Sequence, residues 1–260
     1  MLKTGDIIQV RAMRHAEPAG AMTTKANFDT GLASQASRQI AESVLRHVVE
    51  PAVWPLYGVQ GTLADYRHAK RLKTWQEVDP SAVSAWEVNR ASLDTVQFRK
   101  RDATFLAAEQ QVDQEMLNKF EDDVAPSRGF LVFSSATRRT IDTGSVVISE
   151  LERIGVSVNG GAKEPYISDA LTKGAQDAAS SDDLLGNLAV IVREGLQGKI
   201  AKDALKCTTD VVIVGHQPYL SSFALRQIFE LGCPAVDYHL NGYASMYTVP
   251  VSTDALLHAL

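Results

Sequence analysis

The stretch IIQVRAMRHAEP, residues 7–18, decides how the rest of the chain is read. Ile7, Ile8 and Val10 predict a short buried strand that Met13 can extend. Such a strand ends by delivering Arg14, His15 and Glu17, a guanidinium, an imidazole and a carboxylate, to one place. In open α/β sheets ligands bind just beyond the carboxyl ends of the strands. By itself the tetrapeptide Arg14-His15-Ala16-Glu17 could be a strand meeting solvent. The weight therefore falls on what other segments bring to the same edge.

Two other compact apolar runs predict strands, GFLVFSS at 129–135 and TDVVIVGH at 209–216. Between and around them lie stretches of helical spacing. LASQASRQIAESVLRHVV places Ile40, Val44 and Val48 on one face. TRRTIDTGSVVISELERIG spaces Ile141, Val147, Ile148, Leu151 and Ile154 for a helix that Gly155 would end. DDLLGNLAVIVREGL at 182–196 and YLSSFALRQIFELG at 219–232 continue the pattern, and YASMYTVPV at 243–251, with Pro250, suits a late or edge strand. Strands alternating with helices predict an α/β fold, a three-layer α/β/α sandwich with a mainly parallel sheet. Residues 50–126 break the rhythm, with no convincing strand. Val83, Trp86, Leu93, Val96, Ala103, Leu106, Leu117 and Phe120 recur there at helical steps. The expected organisation is one domain over 1–260 carrying a mostly helical insertion at 50–126. That insertion is expected either to cap the site or to serve as an arm for homodimerisation.

Composition narrows the function classes. The chain has 260 residues, 45% hydrophobic, with a formal net charge of -5. It can bury a full core, and it lacks the global basic field that favours nucleic acid or an anionic membrane. The start, MLKTGDIIQV, has too short an apolar run for a secretory signal, so a cytoplasmic location is expected. Cys207 and Cys233 are too few for a disulfide framework or a cysteine zinc site. Asp122-Asp123 and Asp182-Asp183 have no converging ligand set, and no metal or cofactor is expected.

All three of the clearest strand ends carry similar cargo. The first ends in Arg14 and His15. The second runs into SSATRRT, with Arg138 and Arg139 opening a helix. The third ends in VGHQP, with His216 at the junction. Histidines and arginines gathered at adjacent strand ends make a cationic pocket, in which guanidiniums match phosphate oxygens bidentately and helix N-termini add N–H donors. A neutral imidazole there can attack phosphorus as a nucleophile, and phosphoryl transfer otherwise needs mainly positioning and charge stabilisation. Arg138, one helical step from Arg139, is expected to point to solvent.

This set resembles the histidine phosphatase superfamily, also called phosphoglycerate-mutase-like, in its first branch. The first family motif stands here as Arg14-His15-Ala16-Glu17. Ser135, Arg139 and Thr143 of SATRRTIDTG match the second. Val214-Gly215-His216, followed by Gln217-Pro218, matches the last, and Leu32 and Gln39 match the helix between. The short phosphohistidine phosphatases are the nearest type by motif. The resemblance implies that His15 attacks phosphorus and carries the phosphoryl group, while Arg14, Arg139 and His216 bind phosphate and stabilise the transition state. It places Glu17 at the pocket edge, with Ser135 and Gln217 as supporting polar groups. The chain departs from the pattern at Ala136, Thr140 and Gly144, where the family has proline, alanine and alanine. It also lacks the asparagine that mutases carry after the nucleophile. The family's acid glutamate has no clear counterpart, leaving Asp169, Glu17 or an insertion carboxylate as proton donor. The expectation is a metal-independent phosphatase acting on a phosphorylated small molecule or phosphoprotein, through a phosphohistidine. The alternatives are a phosphotransferase or mutase of the same superfamily, and a catalytically inactive phosphate-binding module.

Overall fold

The computed structural model describes residues 7–19, 31–58, 62–63, 103–168, 209–216 and 242–252. The chain divides into two compact units, Met1–Val48 with Val124–Leu260, and Val49–Asp123.

The first unit is built on a six-stranded, mainly parallel sheet. Its strands are β1 (Ile7–Arg14), β2 (Gly129–Ser135), β3 (Ser157–Val158), β4 (Tyr166–Ser168), β5 (Asp210–Gly215) and β6 (Met246–Ser252). The order is β3-β2-β5-β1-β6, with β4 also on β2. All pairings are parallel except β1 with β6. Every residue of β2 and β5 is buried, which is why both read as unbroken apolar runs rather than as alternation.

The short strands β3 and β4 escape a periodicity reading because two or three residues carry no period. They share one edge of β2, β3 beside Gly129 and Phe130, β4 beside Phe133 to Ser135. In the gap between them Asn159 takes the strand's place. Its Oδ1 accepts the Val132 N–H at 2.8 Å, and its Nδ2 donates to the Glu164 carbonyl at 3.1 Å. A buried backbone donor that would otherwise be orphaned is thereby satisfied.

Two helices belong to this sheet unit. The first, α1 (Ala36–Val44), buries Ala36, Ile40 and Val44 and runs on into a π-helical turn, Leu45–Val49. The other spans Arg138–Arg153 and packs on β2, β3, β5 and α1; it is α4 in chain order. Its end is a Schellman motif. Gly155, at φ +82°, donates to the Glu152 carbonyl at 3.0 Å, and Val156 donates to Leu151 at 3.1 Å. Gly155 thus ends the helix as the sequence predicts. The first two turns differ from expectation. Ile141 is half-buried, and the inward face there is Arg139, Thr140, Thr143 and Gly144. The reason is that this end of the helix meets polar partners, the Ser135 hydroxyl at Thr140 and the Ala16 N–H at Thr143, rather than aliphatic core.

The second unit is helical where described. α2 (Glu50–Val53) leads through a 3₁₀ turn, Trp54–Tyr57, to Gly58, and packs against α3 (Ala103–Asp123). Val112, Met116 and Phe120, four residues apart, form the buried stripe of α3, while Leu117 is half-buried. The helices expected at 182–196 and 219–232, and most of the amphipathic pattern expected at 80–120, lie outside the described residues. Among the described residues no helix is long and apolar enough to cross a membrane.

Gly144 provides a test of the packing on α4. A Cβ at this position would stand 2.8 Å from Cγ and 2.9 Å from Cβ of Pro165, a ring with little freedom to yield. The clash outweighs alanine's helix propensity, so Gly144→Ala should cost about 1–2 kcal/mol net. A thermal melt should show Tm lower by about 3–6 °C. An unchanged or higher Tm would mean that Pro165 does not press on this helix.

Candidate active site

The site begins with strand register. β1 and β5 run parallel with Arg14 opposite Gly215, and the His15 N–H donates to the Gly215 carbonyl at 3.0 Å. The residue that follows each strand is a histidine. Their rings therefore meet, 5.0 Å between centroids and 62° between planes. β2 lies on the other side of β5, with Ser134 opposite Val214, so Ser135 and the start of α4 reach the same end. The sequence expectation that three strand ends converge is what the sheet shows.

The hydrogen bonds decide which nitrogen of each histidine carries the proton. His15 Nδ1 lies 2.8 Å from the Ala16 carbonyl. A carbonyl only accepts, so Nδ1 holds the proton and Nε2 keeps a free lone pair. His216 is the reverse case. Its Nδ1 faces Nη2 of Arg139 at 3.3 Å, and a guanidinium only donates. The His216 proton is therefore on Nε2, which points to Thr137 Oγ1 at 3.2 Å and Ser135 Oγ at 3.4 Å. Thr140 organises those hydroxyls. Its Oγ1 donates to the Ser135 carbonyl at 2.8 Å, and lies 2.8 Å from Ser135 Oγ and 2.9 Å from Thr137 Oγ1. It can accept from both, which leaves their lone pairs to His216.

Both rings are buried, and both are held neutral. Burial pushes His15 from 6.5 down to about 4, with Arg139 and Arg14 adding to the effect against the Ala16 hydrogen bond. His216 is pushed down to about 3 by burial, then by His15, Arg139 and Arg14. A charged imidazolium is disfavoured both by lost water and by neighbouring cations.

α4 supplies the rest of the wall. Arg139, in its first turn, is buried, whereas the Arg138 side chain is 66% exposed and pairs with Asp142 at 2.9 Å. Burial pushes the Arg139 guanidinium below its ordinary value, Tyr243 opposing and Arg14 reinforcing the shift. Thr137 precedes the helix without capping it through its side chain, so its hydroxyl serves His216 while its carbonyl accepts the Thr140 and Ile141 N–H groups, both at 3.1 Å. Thr143 ties helix to loop. Its hydroxyl accepts the Ala16 N–H at 3.0 Å and donates to the Arg139 carbonyl at 2.6 Å.

Glu17 is placed differently from the other motif residues. Its Oε2 accepts from Gln35 Nε2 at 2.7 Å and Gln39 Nε2 at 3.1 Å, so α1 holds the carboxylate. Gln217 and Asp169 lie outside the described residues. Tyr243 has no motif to announce it, yet it joins the site. Its ring is 5.7 Å from that of His15 and carries Arg14 Cζ at 4.7 Å. The only signal for it is register: Met13 pairs with Met246 across the antiparallel β1–β6 ladder, so the residues before β6 fall beside those after β1. Among the described residues no group of three or more His, Cys, Asp or Glu could hold a metal ion.

No family model matches the chain, and no curated protein matches it. Solved structures do show a distant likeness. A candidate phosphohistidine phosphatase, SixA, of Agrobacterium tumefaciens aligns at 13% identity and TM-score 0.30, over 94% of this chain and 91% of its own. A mycobacterial glucosyl-3-phosphoglycerate phosphatase aligns at 12% identity and TM-score 0.32, over 93% and 89%. A phosphoglycerate mutase of Bacillus anthracis aligns at 10% identity and TM-score 0.34, over 98% of both chains.

The depressed histidines carry a pH dependence. The unfolded chain takes up protons near 6.5, whereas folded His15 resists until about 4 and His216 until about 3. Their contribution to stability is whole above 6.5 and falls as pH drops towards those values. For His15 this amounts to about 3 kcal/mol. In His15→Asn, whose amide can still reach the Ala16 carbonyl, unfolding free energy should fall less steeply between pH 6.5 and 4. Parallel profiles for variant and wild type would contradict a buried neutral His15.

Proposed function

We propose that the protein is a metal-independent phosphatase that hydrolyses a phosphomonoester or phosphoramidate through a phosphohistidine at His15. One observation carries this reading. His15 is a buried, neutral imidazole with its proton fixed on Nδ1 by a backbone carbonyl, so Nε2 offers its lone pair among cationic side chains. A nucleophile of this kind needs no base to activate it.

The reaction balances on these residues. The Nε2 lone pair forms a bond to phosphorus while the bond from phosphorus to the leaving oxygen or nitrogen breaks. The leaving group departs with that electron pair and takes a proton from water or a neighbouring acid. The phosphorylated ring keeps Nδ1–H and becomes cationic, and the Ala16 carbonyl continues to accept that proton. Water then attacks phosphorus, the N–P bond breaks and neutral His15 returns. Arg14 and Arg139 would hold the phosphoryl oxygens and offset the charge that grows in the transition state, while His216, its ring nitrogens on Arg139 and on the Thr137 and Ser135 hydroxyls, would keep Arg139 in place. The guanidiniums supply the positive charge that a divalent ion supplies in other phosphoryl-transfer sites.

Two measurements test the reading together. Enzyme quenched with denaturant during turnover of p-nitrophenyl phosphate in EDTA should carry an alkali-stable, acid-labile phosphoryl group. His15→Ala should abolish it, and label that persists in the variant removes this mechanism. Arg139→Ala should lower kcat by about 10²–10³-fold, the usual cost of one preorganised donor. Arg138→Ala, with its exposed pair to Asp142, should change the rate less than about twofold. Equal losses from both would show that the wrong arginine has been placed in the site.

A further inference from the structure

We propose that Tyr243 is a positioning residue for Arg14, its ring face holding the guanidinium where it can take phosphate oxygens. The inference rests on the phosphatase reading and adds a residue to its site.

The need for such a residue comes from the charges. Arg14 and Arg139 share one pocket, and Arg14 disfavours the charge on Arg139. The described carboxylates of the neighbouring segments are engaged elsewhere, Glu17 with Gln35 and Gln39, Asp142 with Arg138. Arg14 Nε is buried and, among the described residues, has no hydrogen-bond partner. What Arg14 does have is the Tyr243 ring, with Cζ 4.7 Å from the centroid. The negative face of an aromatic ring attracts a guanidinium and occupies none of its N–H groups. A carboxylate partner would hold Arg14 more strongly, but it would consume the N–H fork that an incoming phosphate needs. A ring positions the cation and leaves the fork available.

The backbone around Tyr243 is built to keep it there. Ala244 has φ +54° and Gly242 has φ +104°, left-handed conformations that cost an alanine free energy. Ala244 is nonetheless buried, its N–H on the His15 carbonyl at 3.2 Å and its carbonyl accepting from Ser43 Oγ. The Arg14 N–H donates to the Ser245 carbonyl at 3.0 Å. Residues 14 and 15 and residues 244 and 245 are thus clamped together through their backbones, and the ring of Tyr243, the residue just before the clamp, lies against His15 and Arg14. Tyr243 itself is half-buried, as a pocket wall should be.

The test separates ring charge from ring shape. Inorganic phosphate is the probe, its Kd measured by calorimetry beside the thermal melt of each variant. Tyr243→Phe keeps the ring face and should bind within about twofold of wild type. Pentafluorophenylalanine at position 243 keeps the shape but loses the negative face, and it should weaken binding about 5- to 30-fold at unchanged Tm. Tyr243→Leu should behave likewise. In an Arg14→Ala background the same replacements should change Kd less than about twofold, because the residue they act through is gone. Pentafluorophenylalanine binding as well as phenylalanine overturns the proposal, as does a full loss that persists without Arg14. A loss in Tyr243→Phe equal to that in Tyr243→Leu also overturns it, since the hydroxyl would then be the working group. Wild type that binds phosphate but turns over no phosphorylated compound sinks the phosphatase reading and leaves the cycle legible. Wild type that binds no phosphate at millimolar concentration sinks both.

Discussion

The site depends on the register of β1 against β5. Side chains alternate along a strand, so a slip of one residue would turn every side chain of β1 to the other face and part His15 from His216. The opposite end of the same two strands contains a device suited to prevent it. Arg11, on β1, forms a buried ion pair with Asp210, the first residue of β5. The Arg11 guanidinium lies 5.3 Å from the Phe130 ring, and its Nε donates to the His47 carbonyl at 3.4 Å within the π-helical turn. Arg128 Nη1 reaches Asp210 Oδ2 at 3.3 Å, and Thr209 Oγ1 donates to the same oxygen. A buried pair of this kind adds little net stability over apolar residues of the same size, yet breaking it is costly. Its value is in selecting one alignment: Arg11 meets Asp210 in this register, and a slip of one residue would part that buried guanidinium from its carboxylate.

The inner face of α4 shows the other side of that economy. An amphipathic helix is expected to bury aliphatic side chains, and α4 does so at Val147, Ile148 and Leu151. In its first two turns it buries hydroxyls and a glycine. Thr140 and Thr143 are poorer helix formers than alanine, and each is fully occupied. Thr140 orders the hydroxyls that fix the His216 tautomer, and Thr143 links the loop after β1 to the helix that carries Arg139. Two departures from the resembled motif, Thr140 and Gly144, thus have local reasons. One organises a proton, and the other admits Pro165. Local preference yields where the chemistry is held, as consistency arguments lead one to expect.

What could be read in advance follows from how each feature is written in the chain. β2 and β5 were legible because complete burial makes a strand a continuous apolar run, β1 through Ile7, Ile8 and Val10, and α4 because its lower turns keep helical spacing to Gly155. Arg14, His15, Arg139 and His216 were legible as strand-end residues, since parallel topology alone carries strand ends to one edge. β3 and β4 were not, because two or three residues have no period and their edge of β2 is completed by the side chain of Asn159. Tyr243 was not legible either. Its place comes from an antiparallel ladder and two positive φ angles, neither of which leaves a motif. Glu17 was legible as a motif residue but not as a ligand of two glutamines, since that contact is made across a loop by α1.

The same burial that lowers the proton affinity of His15 would suit it to the proposed role. In water an imidazole near its ordinary pKa is partly protonated, and the protonated fraction cannot attack phosphorus. Burial beside two guanidiniums removes that fraction at neutral pH, at the cost of stability in acid. It also leaves, among the described residues, two guanidiniums beside a neutral imidazole, the proposed nucleophile. A phosphoryl dianion is the natural complement to such a pocket, because it offsets the guanidiniums without needing a proton from either ring. The Ala16 carbonyl then has a second role. In the proposed reaction, once Nε2 is bonded to phosphorus the ring would carry positive charge, and among the described residues its hydrogen-bond partner is an acceptor aimed at the remaining N–H. On that reading a single backbone bond would select the reactive tautomer before the step and stabilise the cation after it.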